Sequence, residues 1–166
     1  MWFPLPVGNT TILVSFAVLL FLHFLFVSKS RLFIDMVAVY ATLLLLWMLP
    51  LFVPFIATLF STQPLARGIF FFAVVGVLHI ILWHSNLHEP STLIRPFMFA
   101  TSVVYRVSVV GLFVTTIVYL LPEAFRGVIS GWVGLMFASY AGLLIWLLLP
   151  ALLAFTYRFH AKNGWF

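Results

Sequence analysis

The chain has 166 residues, 65% of them hydrophobic, with only eight Lys and Arg, three Asp and Glu and a net charge of +5. A soluble domain carries about 25% charged residues; 7% leaves too little polar surface to dissolve this one. No Cys is present, which excludes disulfides and thiolate metal sites, and the positive charges form no basic run, so no nucleic acid is expected as a partner.

The expected architecture is a single all-α domain over residues 1–166, a polytopic transmembrane helical bundle of five spans, or four should one of them fail to cross. A span needs about 20 apolar residues to traverse about 30 Å of hydrocarbon. The first is predicted over residues 10–27. No Lys or Arg precedes it, whereas Lys29 and Arg31 follow it. That is the reverse of a secretory signal, so it reads as a retained helix with an exported amino end. The second runs over 32–49, where Pro50 and Pro54 interrupt it, and, continued to 60, would measure about 43 Å. A kink at Pro50 is therefore expected, or a second half lying in the interface. The third span is 68–83, the fourth 97–121, and the fifth 133–157 with a kink at Pro150.

Five alternating spans put Lys29, Arg31, Arg95, Arg106, Arg158 and Lys162 on one side, and Arg67 and Arg126 on the other. The positive-inside rule makes the richer side cytoplasmic, so the amino end is out and the carboxyl end in. The expected setting is a bacterial cytoplasmic (inner) membrane, with the lipid bilayer as the chain's first partner. Trp2 and Trp132 then fall at the outer interface and Trp83 and Trp165 at the inner one, where indole N–H groups find water. Trp47 and Trp146 lie deeper and are expected to pack between helices.

The histidines His23, His79, His84, His88 and His160 all map to the cytoplasmic half. His84 and His88 are spaced i, i+4, so on a helix they would share a face, and Glu89 adjoins them. Imidazoles so placed can bind a transition metal if another ligand arrives. His23 and His79 lie inside apolar runs, from which two helices can ligate a haem axially. Set against this, interfacial histidine is ordinary and the loop HSNLHE need not be helical; no cofactor is the favoured expectation.

Arg106 would sit about 13 Å into a helix starting at 97. It either pairs with Asp35 or Glu89 along a polar path or snorkels to the headgroups. The second is favoured, because residues 107–121 already make a short span. Asp35 has Arg31 four residues before it, on the same helical face. No acid falls at mid-membrane, which argues against an acid-based proton relay.

Small residues recur every four positions at Ser130, Gly134, Ala138 and Gly142, with Gly127 and Gly131 on the neighbouring row. On one helix they make a groove that another backbone can approach, although 127–134 also reads as a loop or re-entrant segment behind Pro122. Phosphate-cradling glycine loops, nucleophile motifs and paired acids are absent, so the chain is expected to be non-enzymatic.

Residues 28–46, SKSRLFIDMVAVYATLLLL, form a basic turn feeding a long apolar helix. With the chain length and the lack of a soluble domain, this resembles the colicin V production family of small polytopic inner-membrane proteins. The likeness covers the second and third spans, implies no site residue, and differs in that no glycine lies between Gly8 and Gly68. Together these features predict a non-enzymatic subunit or scaffold that packs against another membrane protein or a second copy of itself. The alternatives are a small transporter or channel for an uncharged or lipid-like substrate, and a haem- or metal-binding redox subunit.

Overall fold

In hydrocarbon a backbone N–H or C=O finds no water, so an apolar run must satisfy its own hydrogen bonds, and a helix does so within one segment. The chain follows this rule almost throughout. A computed structural model describes residues 7–27, 32–84, 91–93, 98–154 and 157–159. They form α1 (Val7–Phe26), α2 (Leu32–Phe52), α3 (Pro54–Thr62), α4 (Pro64–His84), β1 (Ser91–Leu93), α5 (Met98–Leu120), α6 (Glu123–Arg126), α7 (Gly131–Phe137), α8 (Tyr140–Ala154) and β2 (Tyr157–Phe159). Four helices, α1, α2, α4 and α5, are long and apolar enough to cross a membrane; α7 and α8 together would make a fifth, bent by 53°. The chain is thus a helical protein of four to five span-length elements, as its sequence predicts. The short ribbon, with β1 antiparallel to β2 and Thr92 opposite Arg158, was not anticipated; residue 157 falls in it and not at the end of the last span.

Prolines break the second span, though not at Pro50. Helix α2 runs through Pro50 to Phe52. The break falls at Val53, whose φ of −122° and ψ of 95° are extended, because the ring of Pro54 excludes the helical region for the residue before it. Gln63 repeats the device before Pro64, at φ −128° and ψ 90°. Two X-Pro pairs therefore bracket α3, and each proline begins the next helix, where its missing N–H costs nothing.

Pro150 stays inside α8. The turn that a proline opens needs other partners for its backbone groups. Tyr40 of α2 supplies them: its hydroxyl donates to the Leu147 carbonyl and takes a backbone hydrogen bond from Ala151.

The bend between α7 and α8 has its own cap. Ser139 Oγ accepts the Gly142 N–H at 3.0 Å, the N-cap bond that starts α8. Among the described glycines, Gly131 alone takes a left-handed φ, +60°.

Helix α5 is the axis of the bundle, packed against α1, α2, α4, α7 and α8. Leu112, Val114 and Val118 join Val39, Val133, Phe137 and Trp146 in the main core. Two buried hydroxyls are spent locally: Thr42 donates to Ala38 O at 2.7 Å and Thr116 to Leu112 O at 2.8 Å, which lets a polar side chain sit in apolar surroundings. Trp146 is buried between helices, whereas Trp47, expected there too, is 73% exposed on the outer face.

Candidate functional site

Helix α1 ends with carbonyls that have no partner further along the helix, and in lipid such groups cost several kcal/mol each. Arg106 of α5 reaches one of them, Val27 O just past the helix end, and also His23 O one turn earlier, which already accepts the Val27 N–H at 3.1 Å. Its Nη1 donates to His23 O at 2.5 Å and its Nη2 to Val27 O at 2.7 Å. The guanidinium fork suits two carbonyls, and its charge opposes the negative end of the α1 dipole. The ring of Phe24 lies 4.8 Å from the guanidinium carbon. Arg106 is only 4% exposed, so its guanidinium is turned into the bundle against the end of α1.

One turn away the same helix end carries the His23 side chain, and opposite it stands Asp35 in the first turn of α2. A helix start favours a carboxylate there. His23 Nε2 meets Asp35 Oδ2 at 3.2 Å, and His79 Nδ1 of α4 meets Asp35 Oδ1 at 2.7 Å. Both ring nitrogens serve as donors, since a carboxylate only accepts. Three helices are thus joined through one acid. The His79 side chain is 32% exposed against 12% for Asp35 and His23, so the cluster is graded from its rim inward. The other nitrogen of His23, Nδ1, is buried without a partner among the described residues.

Beside the cluster lies a pocket of ≈ 290 Å³ between α1, α2, α4 and α5. Leu19, Val39, Val75 and Phe113 line it together with the three polar side chains, and Leu22 and Phe26 at its rim are exposed, so it opens on the outer face of the bundle. It is an apolar volume with one ionisable wall, which suits a lipophilic molecule carrying a single polar group.

The structure brings together His23 and His79, which the sequence paired as candidate haem ligands, and joins them to Asp35, which it had not grouped with them. Asp35 and Arg106 both serve the end of α1, but the described bonds of Arg106 go to carbonyls. Glu89, His88 and Arg31 lie outside the described residues, so the pairings proposed for them do too. His84 is exposed and donates from Nδ1 to Ile80 O at 2.8 Å, apart from the cluster. Among the described residues no set of three or more His, Cys, Asp or Glu is arranged to hold a metal ion. The facing nitrogens of His23 and His79 each point at their own carboxylate oxygen.

The small-residue row is divided by the bend. Ser130 caps α7 and Ala138 ends it, while Gly142 belongs to α8. A Cβ on Gly142 would stand 2.3 Å from Met136 O, and one on Gly134 2.8 Å from Ile129 O. These glycines make room for the segment's own turns. A Cβ on Gly127 would meet Glu123 O at 3.5 Å, and one on Gly131 would meet nothing within 4 Å. Ser130 is tied to α1 instead, exchanging two hydrogen bonds with Asn9 at 2.9 and 3.0 Å. The close helix approach is at Gly111, which no spacing singled out: a Cβ there would lie 2.2 Å from the Trp146 ring.

No family model matches the chain. No curated protein matches it, and no solved structure does.

Proposed function

We propose that the chain is a small multi-pass transporter or carrier of an uncharged, lipid-like solute in a bacterial cytoplasmic membrane, with its amino end outside and its carboxyl end inside. The observation that carries this reading is Asp35 held between His23 and His79 on the wall of an apolar pocket. An apolar pocket on which a few polar groups converge is where a binding site is expected, and here three ionisable side chains, His23 and Asp35 only 12% exposed, converge on its wall. A bare structural clasp between helices needs neither the second imidazole nor the open volume beside it. The solute would bury its hydrocarbon against Leu19, Val75 and Phe113 and turn its polar group toward the cluster. The alternative, a subunit or scaffold that associates with a membrane-protein partner or a second copy through the small-residue row, draws less from the geometry, since Gly134 and Gly142 face their own backbone.

The test is photolabelling in membranes with a diazirine-bearing long-chain alcohol, mapped by peptide mass spectrometry. Adducts should concentrate on pocket residues of α1, α2, α4 and α5 and fall when Val75→Phe fills the volume. Labelling spread evenly over every lipid-facing helix, untouched by Val75→Phe, would sink the reading. Transbilayer movement of the same alcohol in vesicles should slow with Asp35→Asn.

A further inference from the structure

At the opposite end of the bundle a second pocket, ≈ 470 Å³, is walled by α2, α3, α4, α5 and α8. Its polar groups differ in kind from those of the first. Arg67, in the first turn of α4, is exposed and lines it, with its guanidinium carbon 6.0 Å from the centre of the buried Phe60 ring. Tyr119, in the last turn of α5, also lines it, and its hydroxyl is buried with no partner among the described residues. Thr116 has already given its proton to Leu112 O. No carboxylate is among the lining residues. The nearby Glu123 is directed at Arg126, 3.4 Å away.

The pocket therefore offers a cationic fork and an unused hydroxyl donor, with no anion to meet them, above a wall of Leu43, Leu46 and Leu143. Both polar groups stand at the ends of their helices, which is headgroup depth. We propose that this pocket binds an anionic phospholipid, its phosphodiester on Arg67 and Tyr119 and an acyl chain along the leucines. A phosphodiester accepts from both donors, and a guanidinium engages it in a bidentate manner. A free phosphate would leave the apolar wall uncovered.

Native mass spectrometry of the full chain from mild detergent tests this, with phosphatidylglycerol, phosphatidylcholine of the same acyl chains, or inorganic phosphate added. Phosphatidylglycerol should be retained at one per chain, about fivefold over phosphatidylcholine, as one interfacial Arg contributes. Arg67→Gln should remove that preference, Arg67→Lys keep part of it, and Tyr119→Phe weaken it. Arg126→Gln, whose guanidinium lies 5.4 Å from the centre of the Tyr119 ring but does not line the pocket, should cost less of it than Arg67→Gln. Equal retention of the two lipids, or equal loss in Arg67→Gln and Arg126→Gln, would overturn the proposal, as would phosphate alone displacing the lipid. Unchanged helicity of Arg67→Gln by circular dichroism separates lost binding from lost fold.

Discussion

Arg106 and Asp35 show how a charge becomes tolerable inside an apolar bundle: each is spent on groups that would otherwise be left bare. Removing either should therefore cost more than the interaction it makes. Arg106→Leu strips Val27 O of its described donor and leaves His23 O only the Val27 N–H, and an unsatisfied buried acceptor costs about 1–3 kcal/mol. The expected outcome is a lower melting temperature in detergent with fraying of the end of α1, seen as faster amide exchange there. Arg106→Lys should recover only part of this, because an ammonium is a point charge and not a fork. Asp35→Leu leaves the facing nitrogens of His23 and His79 without their acceptor. Side-chain nitrogen resonances of both histidines should then move together while that of His84 stays put, since His84 bonds to Ile80 O. Independent behaviour of His23 and His79 would mean that they do not share the carboxylate.

Among the elements, glycine and proline carry the design, and two substitutions separate close packing from open space. Gly111→Ala places a methyl inside the Trp146 ring. It should cost about 1–3 kcal/mol as overpacking and loosen the Trp146 Nε1 bond to Met136 O, now 2.8 Å, with a shift in tryptophan emission. Gly76→Ala meets nothing within 4 Å and should be neutral or slightly stabilising, because alanine is the better helix former. A similar cost for both would show that α5 and α8 do not approach as described. Tyr40→Phe removes the hydroxyl from the turn that Pro150 opens, for an expected loss of about 1 kcal/mol read by thermal unfolding. These elements also show what was legible beforehand. Apolar runs gave the spans because lipid leaves a helix no competitor. Of the two prolines expected to interrupt the second span, Pro54 and not Pro50 marks the break, since the residue before a proline is the one forced out of the helix, and Pro64 repeats it. The link between His23 and Asp35 had a signal: they lie at equal sequence distance either side of Lys29, as partners across a helical hairpin do. His79 was paired with His23 only as a haem ligand, and neither its contact with Asp35 nor Gly111 had a signal, because the angle at which α4 and α5 meet their neighbours is set by packing and not by local spacing.

For the molecule as a whole, the bundle has two chemically distinct ends, and orientation decides what each one meets. One end holds the Asp35 cluster with Arg106; the other holds Arg67, Arg126 and the Tyr119 hydroxyl, which has no partner among the described residues. The excess of Lys and Arg on the cluster side predicts that it faces the cytoplasm, which would set the phospholipid pocket in the outer leaflet. The absence of native Cys makes this directly readable. Gln63, between α3 and α4, and His84, at the far end of α4, are both exposed, so single cysteines there sit on opposite sides with little disturbance. A membrane-impermeant maleimide should label Gln63→Cys in intact cells and His84→Cys only after lysis. The reverse pattern would place the Asp35 cluster outside and the Arg67 pocket in the inner leaflet. Labelling of both from outside would mean that α4 does not cross, leaving too few crossings to separate the two charged ends, so the same pair of cysteines tests the span count and the sidedness together.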